Sequence, residues 1–141
     1  MPSSSADMAH RLILPRLVVD EMIDHAASCV PLEACGLLAG KHDRVETMIE
    51  VQNQAQSPVR FVMEPYEQLK AFEWIESNGL ELLAIFHSHP AGPETASPTD
   101  IAEAAYAVVH VILSRRGEEW VARGFWFQNG AAAEADLQIL D

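Results

Sequence analysis

Two periods of apolar and polar residues alternate along this chain, and the switches between them mark its elements. Arg11-Leu12-Ile13-Leu14 is a short apolar run that reads either as a first strand or as the lead into a helix, with Pro15 suited to a helix's first turn. From Pro15 to Val30, apolar residues fall at Val18, Met22, Ala26 and Cys29 and again at Val19, Ile23, Ala27 and Val30. That is helical spacing, and Pro31 ends it. Glu33 to Gly40 reads as a short buried strand with Glu33 and Cys35 on one face, and Arg44 to Asn53 pairs as the next strand. Val59 to Met63 is a further strand candidate. Pro65 to Ser77 puts Leu69, Phe72 and Ile75 on one helical face, and Asn78-Gly79 supplies the stop. Leu80 to His89 is apolar almost without interruption, as in a strand covered on both faces. A helix opens near Pro98 and runs through Ile101, Ala104 and Ala105. Val108–Leu113, Trp120–Gln128 and Asp136–Leu140 complete the sheet, with turns at Arg115–Glu118 and Asn129-Gly130. The pattern predicts one mixed α/β domain over residues 11–141 behind a loose tail at residues 1–10.

Composition narrows the function classes. A chain of 141 residues holds a real hydrophobic core without disulfides, and Cys29 and Cys35 are expected to be free. No apolar run approaches the ~20 residues that cross a bilayer, and the N-terminus lacks the basic start and apolar core of a signal peptide. A cytoplasmic location is the expectation. A formal charge of -12 argues against nucleic acid or an anionic membrane surface as partner.

Candidate chemistry gathers where the long apolar run ends. His87 and His89 are two residues apart on a strand, so both imidazoles project from one face while Ser88 points away. The Pro90, Gly92 and Pro93 turn brings Asp100 back towards that face, and two histidines with one carboxylate leave a coordination position open. Ser97-Pro98-Thr99-Asp100 also reads as an ordinary helix start, with Ser97 as N-cap, Pro98 at the first helical position and an acid three residues on. The two readings are compatible, because a capped helix end is a rigid support. His110 reads as a satisfied sheet-face residue and Cys35 as packing near the site, and the three tryptophans read as core or sheet-covering side chains.

Taken together, Pro31-x-Glu33-x-Cys35-Gly36-x-Leu38-x-Gly40, His87-x-His89-Pro90 and Ser97-x-x-Asp100 resemble the JAMM (MPN+) metalloprotease family, from about Leu12 to the C-terminus. The resemblance implies a single mixed sheet curled on itself and flanked by helices, similar to the cytidine-deaminase-like architecture. It implies one zinc ion per chain on His87, His89 and Asp100. It assigns Glu33 to hold the attacking water and carry its proton to the leaving amine, and Ser97 to hydrogen-bond the developing oxyanion. The chain looks like the short, free-standing prokaryotic members. The expected activity is therefore zinc-dependent hydrolysis of an amide at the C-terminal tail of a small ubiquitin-like or sulfur-carrier protein, for example releasing cysteine, with the tail along a sheet edge. The alternatives are an isopeptidase that removes ubiquitin-like modifiers from lysines and a metal-free scaffold of the same fold.

Overall fold

The computed structural model describes residues 10–141, so the predicted tail at residues 1–10 lies, His10 apart, outside the described residues. The described chain runs β1 (Arg11–Pro15), α1 (Arg16–Cys29), β2 (Cys35–Lys41), β3 (Arg44–Val51), α2 (Pro65–Ser77), β4 (Glu81–His89), α3 (Pro98–Glu103), β5 (Val109–Arg116), β6 (Glu119–Gln128) and β7 (Ala131–Leu140). The strands close into a ring in the order β1-β3-β2-β4-β5-β6-β7. Parallel pairs (β1/β3, β1/β7, β4/β5) mix with antiparallel ones, which is the curled mixed sheet that the resemblance implied. Along β3 the sheet keeps an edge of the kind expected for a substrate tail. β1 and β3 meet through one residue pair, Ile13 with Arg44, and the rest of β3 pairs with β2 alone.

Strand alternation sorts the core into two sets. On one face, Leu38, Ala84, Phe86, Val109, Val111 and Leu113 pack against Val18, Val19, Met22 and Ala26 of α1. On the other, Cys35, Leu37, Ala39 and Ile85 pack against Ala71 and Ile75 of α2. α1 buries Val18, Val19, Met22 and Ala26 of the stripes that its periodicity marked, whereas of the α2 stripe Ile75 is buried, Phe72 is half-buried and Leu69 is 54% exposed. α2 begins on a cap in which Glu64 Oε2 accepts from Glu67 N at 2.6 Å, and it stops at Asn78 before Gly79, whose φ is +67°. Among the described residues no helix is long and apolar enough to cross a membrane. Both cysteines are free.

Several elements differ from the sequence pattern. Val59–Met63 is not a strand. Its only ladder contact is an isolated bridge from Met63 to Asn53, because the Asn53 side chain takes up Val62 N and the Arg60 carbonyl. α3 ends at Glu103, short of Ala104 and Ala105, where an extended Ala104 turns the chain so that Tyr106 packs edge-on against Phe72. β7 starts at Ala131 rather than Asp136, since pairing with β6 overrides the weak strand preference of an alanine run.

Phe86, the largest of the fully buried side chains, lies in register with Gly36 on the neighbouring strand. A Cβ at Gly36 would meet the Phe86 ring and come within 2.5 Å of the Ile49 carbonyl oxygen. Gly36→Ala is therefore expected to destabilise the fold by about 1–3 kcal/mol, read by denaturant unfolding against wild type.

Candidate active site

β4 is a central strand, and its alternation places two kinds of side chain at its C-terminal end. Phe86 and Ser88 face the α1 side, and Ile85, His87 and His89 face the other. Ser88 acts there as a clamp: its hydroxyl accepts from Ala34 N at 2.8 Å and its own N–H donates to the Ala34 carbonyl at 3.0 Å. This fixes the segment that carries Glu33. The sequence pattern put Glu33 inside β2, but β2 starts at Cys35. Glu33 sits instead in the approach to the strand, where its N–H donates to the Ser57 carbonyl (2.9 Å) and its carbonyl accepts from Asn53 Nδ2 (3.0 Å).

The loop after β4 delivers the remaining groups. Ser97 caps α3 by accepting from Asp100 N at 3.0 Å, and Asp100 Oδ2 accepts in return from Ser97 N at 2.9 Å. The same carboxylate reaches both histidines, with Oδ1 at 3.2 Å from His87 Nε2 and Oδ2 at 3.0 Å from His89 Nε2. The two ring nitrogens are 3.1 Å apart, and Glu33 Oε2 lies 3.9 Å from His89 Nε2. All four side chains are buried. His87, His89 and Asp100 are thus brought together as the spacing suggested and Glu33 beside them as the resemblance implied, with Ser97 one hydrogen bond behind Asp100.

Electrostatics at this cluster is strongly polarised. Burial raises the Glu33 carboxyl to about 8, against the opposing pull of His89. Burial also opposes charge on Asp100, but hydrogen bonds from His87 and His89 outweigh it and hold the carboxyl well below the usual carboxylate range. His87 is pushed down by burial despite Asp100. On His89 the hydrogen bonds to Asp100 and to the Pro93 carbonyl overcome burial and raise it. Cys35, in register with His87, is driven by burial up to about 12 and gives its thiol proton to the Val51 carbonyl, so it packs near the site as an unreactive thiol.

The donor set fits a metal ion. His89 Nδ1 donates to the Pro93 carbonyl at 2.8 Å, and Nε2, 3.0 Å from Asp100 Oδ2 and 3.1 Å from His87 Nε2, is the ring nitrogen turned into the cluster. Two ring nitrogens and a carboxylate facing one another in a buried space, with Glu33 Oε1 lacking a partner among the described residues, form a group that a cation would satisfy. Glu33, His87 and His89 each offer one potential ligand atom, and these lie within 4.8 Å of one another.

Residues 15–127 match the family described as Prok-JAB, prokaryotic homologs of the JAB domain. The chain belongs to this family. It is 41% identical over 111 residues (77% of this chain, 74% of the relative) to a probable TtuB-protein conjugate cleaving protease of Thermus thermophilus. It is 38% identical to a desampylase of Pyrococcus furiosus, covering 84% of this chain and 86% of the relative. A CysO-cysteine peptidase of Mycobacterium tuberculosis is 31% identical over 92% of each chain. The solution structure of DSY2949 from Desulfitobacterium hafniense superposes with a TM-score of 0.83 at 33% identity, covering 92% of this chain and 93% of that one. Its family and its relatives make this JAB-family chain a hydrolase of the metallopeptidase kind.

Two supporting residues were not singled out from the sequence. Ser88 was read only as pointing away, and Asn53 as the end of a strand. Asn53 is buried and makes four bonds, donating to the Glu33 and Arg60 carbonyls and accepting from Ala55 N and Val62 N, each at 3.0 Å. A polar residue ending an alternating run carries no signal that would distinguish such a hub. His110 also departs from its expected role: it is buried and stacked on Phe127, but its Nε2 has no partner among the described residues. Trp74, read as a core or sheet-covering side chain, is 46% exposed on α2 and so lies outside the core.

Asn53→Ala removes both ends of this brace and strands the backbone groups it serves. It is expected to cost about 2–3 kcal/mol in denaturant unfolding, with a sharp rise in amide exchange at Ala55 and Val62.

Proposed function

We propose that this JAB-family chain is a zinc-dependent peptidase that hydrolyses the amide at the C-terminal tail of a small ubiquitin-like or sulfur-carrier protein. His87, His89 and Asp100 hold one zinc, and Glu33 and Ser97 serve catalysis. The observation that carries this reading is the convergence of two imidazole Nε2 atoms and both Asp100 oxygens within 3.2 Å, with the Glu33 carboxylate 3.9 Å away and outside that cluster of contacts. A zinc ion bound there would supply Lewis-acid activation of water and of the scissile carbonyl.

The chain's own groups account for the rest of the reaction. Glu33 takes a proton from the attacking water and gives it to the departing amine. The burial that resists its charge suits a proton carrier working near neutrality. The backbone bonds to Ser57 and Asn53 and the Ser88 clamp on Ala34 hold it in place for both transfers. The Ser97 hydroxyl already accepts from Asp100 N, so its proton is available to the oxyanion that develops on the carbonyl. Asp100, fixed by the same cap, cannot swing away from the histidines.

A second reading rests on a specific observation. The two relatives with the higher identities are named for cleaving protein conjugates, which favours an isopeptidase acting on lysine-linked modifiers. The sulfur-carrier reading is supported by the CysO-cysteine peptidase, which matches over a larger share of the chain. A metal-free scaffold would have no use for the complete set of Glu33, His87, His89, Ser97 and Asp100. The partner is a protein tail, with neither nucleic acid nor membrane surface expected beside so acidic a chain.

Elemental analysis is expected to find about one zinc per wild-type chain, lost in Asp100→Ala and in His87→Ala/His89→Ala. Normal zinc in Asp100→Ala would remove Asp100 from the ligand set. Glu33→Gln is expected to keep fold and zinc while hydrolysis falls by at least about 10²-fold. The assay compares a Gly-Gly-ended carrier bearing a C-terminal cysteine with the same carrier linked to a lysine. Preferential turnover of the lysine conjugate selects the isopeptidase reading.

A further inference from the structure

The outer edge of a sheet is a row of backbone donors and acceptors open to another strand. Beyond Arg44, no strand lies beside the outer edge of β3 among the described residues. A groove of about 610 Å³ runs along it, with Thr47, Met48, Ile49 and Glu50 as one wall and Tyr66 and Trp74 of α2 as the other. Side chains alternate along a strand, so four consecutive residues line one groove where the backbone edge, rather than a face, borders the opening. Tyr66 and Trp74, two turns apart on the helix, are 64% and 46% exposed. The groove leads to the candidate site. Val51, the last residue of β3, is in register with Cys35 of β2, and Cys35 with His87 of β4. Two strand spacings, ~10 Å, separate Val51 from His87, which about three residues of extended chain would cross. A second cavity covers that gap: it shares Glu50 and Glu67 with the groove and reaches Asn53 and Glu33.

The two faces of this edge differ in chemistry. Ile49 packs in the α2 core, and Thr47, in register with Ala39 of that core, shares its face. Glu50 turns to the other side, where its carboxylate lies 3.7 Å from His25 of α1 and stays 62% exposed. A strand added to β3 continues the alternation, and its side chains meet those of their neighbours on the same face. Beside Thr47 and Ile49 it comes under Tyr66 and Trp74, which suits apolar side chains. Beside Glu50 it meets a carboxylate, and Glu67 adds another where the two cavities join. The cation of the groove, Lys70, belongs to the α2 side, 5.6 Å from the Tyr66 ring and 3.9 Å from Glu73.

We infer that the substrate's tail adds to β3 as a parallel strand, with apolar side chains towards Tyr66 and Trp74 and basic ones towards Glu50, its last residues crossing to Glu33. The inference rests on the tail-cleaving reading above and adds which tails are selected. The direction is set by β3 itself, which runs towards the site where the tail must present its C-terminal end. A second copy of this chain is a poorer occupant, because the same carboxylates and a formal charge of -12 would meet their own kind.

The probe is a short synthetic peptide of alternating leucine and arginine ending in glycine-glycine, a mimic of the cleaved tail whose binding needs no turnover. Calorimetry gives its affinity for wild type, Trp74→Ala and Glu50→Lys, beside a second peptide with glutamate in place of arginine. Amide shifts and unfolding are followed on the same proteins. In wild type the shifts are expected at residues 45–51 and at the Trp74 indole. Trp74→Ala is expected to weaken the arginine peptide about 10-fold or more. Glu50→Lys is expected to weaken it about 5-fold and to strengthen the glutamate peptide. Both side chains are substantially exposed, so unfolding midpoints stay near wild type. Equal affinity for the two peptides, or shifts that avoid β3 and α2, overturn the inference. So does dimerisation of wild type that Trp74→Ala abolishes, or contact of residues 1–9 with the groove in the free protein. Cleavage of a tail conjugate with unchanged KM in Trp74→Ala overturns the inference and leaves the peptidase reading standing. Binding as expected with no hydrolysis of any conjugate upholds the groove and overturns the peptidase reading.

Discussion

The structure depends on the two-residue period of one central strand. β4 is paired on both flanks, and each side chain along it is committed to one of two environments. Ala84 and Phe86 fill the core against α1 and Ile85 the core against α2. His87 and His89 continue the Ile85 row, and Ser88 continues the Phe86 row into the clamp on Ala34. Sliding this strand by one residue would drive both imidazoles into the α1 core and turn Phe86 out of it. The register of the sheet and the geometry of the site are therefore one constraint.

Around that strand, the site is assembled from short segments held by polar bonds rather than by regular structure. Glu33 precedes its strand, Ser97 and Asp100 sit on a helix of six residues, and the 53–63 loop is organised by one asparagine. Such segments have little apolar area of their own to bury. Their order comes from backbone and cap hydrogen bonds at buried positions, where an unmade bond is expensive. Two ion pairs brace the same region from outside: Arg60 with Glu103 at 2.9 Å and Arg116 with Glu94 at 2.5 Å. Both are substantially solvent-accessible, so they add little stability and serve mainly to hold the loops in register.

What could be read from the sequence follows from how local each signal is. α1 and α2 were legible because apolar residues at helical spacing, Leu69 excepted, turn towards the nearest sheet face and their ends carry Pro31 and Asn78-Gly79. His87 and His89 were legible as a pair because strand alternation is a local rule, and Asp100 because its cap signature is written within four residues. Glu33 was not placed by periodicity at all. Its position comes from Ser57 and Asn53, distant in sequence, and only the resemblance to a known pattern raised it above a strand's exposed start. Val59–Met63 misled because Phe61 and Met63 are spaced like strand residues but serve as separate anchors, one on the His87 ring and one in the α2 core. Closure of the sheet through a single β1–β3 pair leaves no trace in the pattern of either strand.

The reciprocal bonds between Ser97 and Asp100 join two duties in one carboxylate. Over evolutionary time this limits how the lineage can drift. Most replacements at position 100 remove a charge from the cluster and a cap from the helix together, and selection meets them as folding defects before it meets them as lost chemistry. Asparagine stands apart, since it keeps an oxygen for the Ser97 N–H and discards the negative charge. An inactive paralogue that kept this shape for another purpose would find its shortest path through that one substitution.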